Sequence, residues 1–163
     1  MTYGGLRFIG LSVLLSLTAC GLAACGGAQE PPFEIHSLRV FAPLPGSDAS
    51  VAYLTIVNNS NEELNFPSVE SPEFARAELH ETVLEDGVTR MRALDELIVP
   101  AHNSVELREG GKHIMLLDPR SKLELDQTVT LVLKESGGAE SVLRTSLTSR
   151  VAVASFERAS LTR

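Results

Sequence analysis

Cysteine is nearly missing from this chain of 163 residues: the two present, Cys20 and Cys25, both fall within its first 25 positions. The remainder therefore has no thiol for a disulfide, and an exported domain of this kind must rely on its own core. Methionine is as scarce. Of three, Met1 is the initiator, which leaves Met91 and Met115. Basic charge is in deficit, with 14 Lys and Arg against 21 Asp and Glu and a formal net charge of −7. That balance excludes the basic footprint of a nucleic-acid binder and is ordinary for a soluble exported domain. No apolar run approaches the roughly 20 residues of a membrane-spanning helix. No segment sustains a helical period with start and stop signals. Enzyme motifs are missing as well: there is no nucleophile elbow, no P-loop and no His-Glu-x-x-His, so we expect a protein that is not an enzyme.

What is present begins with a leader. After Arg7 comes the apolar run Phe8–Leu17, and no charge returns until Glu30. A cationic start, an apolar stretch and a small-residue end form an export signal, placed at residues 1–24. Both cysteines end tetrapeptides, Leu17-Thr18-Ala19-Cys20 and Leu22-Ala23-Ala24-Cys25, that resemble the lipobox of bacterial lipoproteins. In that class the signal is cut before Cys, which is then lipidated. Cys25 is the closer match, since Gly26-Gly27 leads into a polar tether at residues 25–32; Cys20 is the alternative. An ordinary secretory signal that discards both cysteines is a further alternative, ranked behind the lipobox. The expected location is periplasmic or otherwise extracytoplasmic, with the membrane engaged only through the N-terminal lipid. Loss of residues 1–24 removes Arg7 alone and leaves a formal charge of −8.

The mature chain reads as strands almost throughout. Glu34–Phe41, Val51–Val57, Leu64–Val69, Ala75–Leu84, Val88–Ala93, Ser104–Leu107, His113–Leu117, Thr128–Lys134 and Ser141–Leu147 are strand-like. Pro and Gly punctuate the gaps, among them Ala42-Pro43-Leu44-Pro45-Gly46, Pro67, Pro100 and Gly110-Gly111. Short strands at this spacing predict an all-β domain, an antiparallel sandwich or barrel, over residues 33–150, followed by a tail at 151–163.

One hairpin can be set in register. Asp86-Gly87 favours a two-residue type I′ turn between two strand-like runs. If Glu85 pairs with Val88, Thr82 lies opposite Met91 and His80 opposite Ala93. Residues two apart on a strand share a face, and so do directly opposed residues. His80 and Met91 then become diagonal neighbours, roughly 7–8 Å apart at their backbones. His113 and Met115 likewise share a face of their own strand.

Imidazole with thioether suits a soft ion, Cu(I), better than Zn(II), Mg(II) or Ca(II). A lone Met is more often core filling, and a lone His more often a surface residue. His36, in the opening strand, and His102, beside Pro100, are given that plain reading. Lys112 and the acidic pairs Glu62-Glu63 and Glu85-Asp86 are read as solvated charge. Two neutral imidazoles and two neutral thioethers would leave the charge of Cu(I) uncompensated, which favours a carrier. A blue-copper electron carrier would need a thiolate, and the mature domain has none beyond Cys25.

The spacing His80, ten residues, Met91, twenty-one residues, His113-x-Met115 matches the motif of the periplasmic Cu(A) chaperones of the PCuAC family. The chain resembles that family further in Ala52–Asn58, Ala77-Glu78-Leu79-His80-Glu81, Asp86–Arg92 and Gly110–Leu116. The resemblance implies a cupredoxin-like β-sandwich holding one Cu(I) per monomer through His80, Met91, His113 and Met115. It also implies delivery to the Cu(A) subunit of cytochrome c oxidase, alongside a Sco-type thioredoxin-like protein. Some members carry a second site in a His- and Met-rich tail; residues 150–163 contain neither residue, which puts such a site in doubt. Two other readings stand beside this one. The first is a copper buffer used in resistance; the second is a β-sandwich lipoprotein with a structural or protein-binding role and no metal.

Overall fold

The computed structural model describes residues 31–149. The leader, both cysteines, most of the tether and the tail at 151–163 lie outside the described residues. Eleven strands follow one another without a helix among the described residues. They are β1 (Phe33–Phe41), β2 (Ala49–Asn58), β3 (Leu64–Phe66), β4 (Ser68–Glu70), β5 (Phe74–Glu85) and β6 (Val88–Ala93). The remainder are β7 (Leu97–Val99), β8 (Ser104–Leu107), β9 (Lys112–Pro119), β10 (Thr128–Lys134) and β11 (Glu140–Thr148).

Nine strands make one sheet in the order β4-β10-β11-β1-β2-β9-β5-β6, with β8 beside the second half of β2. β2 is shared along its length: Ala49–Ala52 pair with Ile114–Leu117 of β9, and Leu54–Val57 with Ser104–Leu107 of β8. β4 and β5 stand near opposite ends of this order, yet Ser71-Pro72-Glu73 alone connects them. The sheet must curl back on itself to let that short link close, so it forms two layers around one core without closing into a barrel. β3 and β7 pair as a small separate ribbon.

Alternation along the strands supplies the core. Ala52, Leu54 and Ile56 of β2, Ile114 and Leu116 of β9, and Leu131 and Leu133 of β10 are buried in a single cluster with Phe66 and Phe74. Each of these Leu, Ile and Phe side chains contributes on the order of 1.5–3 kcal/mol by leaving water.

Three features depart from the sequence reading. The run Leu64–Val69 is two strands, because Pro67 lacks the N–H a continuous ladder requires. Leu97–Val99 forms a strand although nothing marked it: three residues before Pro100 are too few to show a period. The sheet is not purely antiparallel, since β1 and β11 run parallel through Val40↔Leu147 and Phe41↔Thr148. Parallel neighbours need a long connection, and here almost the whole domain lies between them.

Candidate metal centre

The site face is built by β6, β5 and β9, which lie side by side. The β5–β6 hairpin has the expected register, with Glu85↔Val88, Thr82↔Met91 and His80↔Ala93. Its turn has φ 52° at Asp86 and 77° at Gly87, the two positive values a type I′ turn demands. β5 pairs with β9 so that His80 lies directly opposite His113, and Glu78 opposite Met115. Opposed residues share a face. His80, Met91, His113 and Met115 therefore occupy one face of three neighbouring strands.

The four are not equally placed. Met91, His113 and Met115 line an open cleft of ≈ 450 Å³, with Leu44, Val51 and Tyr53 on its walls. Met91 is 54% exposed on the edge strand, whereas His113 is 4% exposed. His80 does not line the cleft; its ring lies one strand over, 6.0 Å from the His113 ring between centroids and inclined by 32°.

The hydrogen bonds assign both tautomers. His80 Nε2 stands 3.0 Å from Glu78 Oε2, and His113 Nδ1 stands 3.0 Å from the Gly111 carbonyl oxygen. A carboxylate and a carbonyl only accept, so both of these ring nitrogens donate. In the neutral imidazoles the lone pairs then lie on His80 Nδ1 and His113 Nε2. Those two atoms are buried without a protein partner. A buried acceptor left unpaired costs about 1–3 kcal/mol, and a pair of them on facing rings calls for a ligand. Imidazole that binds metal through one nitrogen commonly donates from the other to a carboxylate or a carbonyl. Both arrangements occur here.

Glu78 was not singled out as a functional residue by the sequence, although it stands two positions before His80 and so on the same face. Its carboxylate also accepts from Arg76 Nη1 at 2.8 Å, and Arg76 in turn bonds Asp118 through Nε and Nη2. The His80 hydrogen bond, more than the Arg76 charge, holds the Glu78 carboxyl below the usual carboxylate range against the opposing effect of burial. Lys112, expected to be simply solvated, pairs with Glu81 at 3.3 Å on the opposite face. His36 pairs with Glu34, and His102 sits in a turn beside Asn61, both away from the site strands. Among the described residues no group of three or more His, Cys, Asp or Glu could hold a metal ion. The site face also carries two thioethers, those of Met91 and Met115.

The family model described as "Putative lipoprotein LpqE-like" matches residues 33–144. Over 134 residues the chain is 28% identical to "Putative lipoprotein Lxx21020" of Leifsonia xyli subsp. xyli, covering 80% of this chain and 81% of that one. Among solved structures it is similar to CuI-DR1885 of Deinococcus radiodurans, with TM-score 0.63 and 25% identity, covering 79% of this chain and 87% of that one. It is also similar to the copper-bound PCuAC domain from PmoF2, with TM-score 0.60 and 18% identity, covering 73% and 94%. The fold is that of the cupredoxin-like PCuAC domains.

Proposed function

We propose that this chain, which belongs to the LpqE-like lipoprotein family, is an extracytoplasmic Cu(I) carrier whose ligands are His80, Met91, His113 and Met115. One observation carries the reading. Two opposed histidines each spend one ring nitrogen on a fixed acceptor and bury the other without a partner. The two methionines share their face. Two imidazoles and two thioethers are a soft, neutral donor set, which selects Cu(I) over harder divalent ions. The copper bound in the similar PmoF2 domain and in CuI-DR1885 supports the same cargo.

The surroundings suit transfer more than storage. Met91 stands at the mouth of the cleft on an edge strand, where an incoming ligand from a partner can displace it first. The ion would then pass by ligand exchange while the two histidines hold it from the other side. The resemblance to the Cu(A) chaperones makes the Cu(A) subunit of cytochrome c oxidase the proposed recipient and a Sco-type protein the proposed companion. Lipidation at Cys25, with residues 26–32 as tether, would keep the domain beside that recipient. A buffer would share the site and differ only in lacking the recipient.

The test is an anaerobic Cu(I) competition titration of the soluble domain beside Met91→Ala and His113→Ala. One equivalent bound by the wild type, and weakened in both variants, is expected. Equal affinity in all three proteins would refute the site. Loss of Cu(A) content in a deletion strain distinguishes delivery from buffering.

A further inference from the structure

We propose that Glu78 is a positioning residue for copper: it selects the His80 tautomer that binds through Nδ1 and offsets the charge of the ion. The inference rests on the copper reading above and assigns a role to a residue outside the ligand set. The observations are geometric. Glu78 lies opposite Met115 and two residues from His80, so it stands on the middle strand of the site face beside both. Its Oε2 accepts from His80 Nε2 at 3.0 Å, while its Oε1 is held by Arg76 at 2.8 Å. Arg76 is itself fixed by Asp118 Oδ2 at 3.0 and 3.2 Å. Both carboxylate oxygens are thus spoken for, and the carboxylate cannot rotate away without breaking two charge-assisted bonds.

The consequence for His80 is specific. An imidazole with no acceptor beside it exposes either nitrogen, and only one tautomer leaves the lone pair on the buried, unpartnered Nδ1. His113 needs no such carboxylate, because the Gly111 backbone carbonyl sets its tautomer. The two ligands are therefore fixed by different devices, one removable by mutation and one built into the backbone. Charge follows the same line. Asp118, Arg76, Glu78 and a bound Cu(I) alternate in sign and sum to zero. Without Glu78 the donor set would leave the ion uncompensated in a partly buried site.

The test compares wild type, Glu78→Ala and Glu78→Gln by two readouts. The first is the imidazole nitrogen–proton NMR spectrum of the metal-free protein, which reports the tautomer of each histidine without copper. The second is the Cu(I) competition titration. In Glu78→Ala we expect His80 to become a tautomer mixture, His113 to keep its proton on Nδ1, and Cu(I) affinity to fall by about 10–100-fold. In Glu78→Gln the carboxamide oxygen still accepts, so the tautomer should be restored and affinity should lie between the other two. An unchanged His113 signal shows that the variant has kept its fold. Wild-type tautomer and affinity in Glu78→Ala would overturn the proposal while leaving the carrier reading intact. Failure of the wild type itself to bind Cu(I) would overturn both.

Discussion

Met91 and Met115 bring the same sulfur to the site from different surroundings. Met115 is half-buried on β9, paired with Val51 on one side and Glu78 on the other. Met91 is more than half exposed on β6, where every residue faces water to a large degree. An exposed methionine contributes little to folding, so stability and copper binding can be separated at this position. Met91→Leu should change stability by no more than about 0.5 kcal/mol while weakening Cu(I) binding. Leu116→Ala should do the reverse, costing about 2–5 kcal/mol through the cavity it leaves. Paired urea denaturation and copper titration of both variants would show this. A Met91→Leu protein that binds copper as well as wild type would remove Met91 from the ligand set.

At the scale of elements, β5 organises the site: it lies between β6 and β9 and carries His80 and Glu78 on one face. On the other face Glu81 is opposed by Arg92 of β6 and Lys112 of β9, and it pairs with both. This one carboxylate therefore staples the three strands that the site requires. The Arg92 hydrogen bond first, and then the Lys112 interactions, hold its carboxyl below the ordinary value of 4.5. A lowered folded pKa gives stability that is present above the unfolded value and lost as pH falls through the folded one. The stability difference between wild type and Glu81→Gln should thus be constant near neutrality and shrink below about pH 4.5, as urea midpoints across that range would report. A difference independent of pH would mean that the staple carries no net charge energy. The hairpin of this element was legible in the sequence because Asp86-Gly87 dictates both turn type and register. Leu97–Val99 was not, because three residues carry no period and its pairing with Leu64–Phe66 is distant in the chain.

For the whole molecule, the proposed carrier role depends on where the domain is held. Residues 1–30 lie outside the described structure, and the family is one of lipoproteins. Labelling with a radioactive fatty acid should mark the wild type and Cys20→Ser but not Cys25→Ser, which should leave the membrane fraction. Label retained in Cys25→Ser and lost in Cys20→Ser would move the anchor to Cys20.

Sequence alone determined every feature that rests on neighbours along the chain. The strand alternation that puts His113 with Met115, and the two-residue turn that puts His80 beside Met91, follow from local backbone geometry. Composition adds that residues 33–150 contain no cysteine, so methionine is the sulfur donor available there. Tertiary structure alone decided that the two pairs share a face, because β5 and β9 are separated by three intervening strands in the chain and no local rule states which distant edges join. That pairing sets His80 opposite His113. It also brings Arg76 to Asp118 and so fixes Glu78 against His80, a contact for which sequence spacing supplied the face but not the partner.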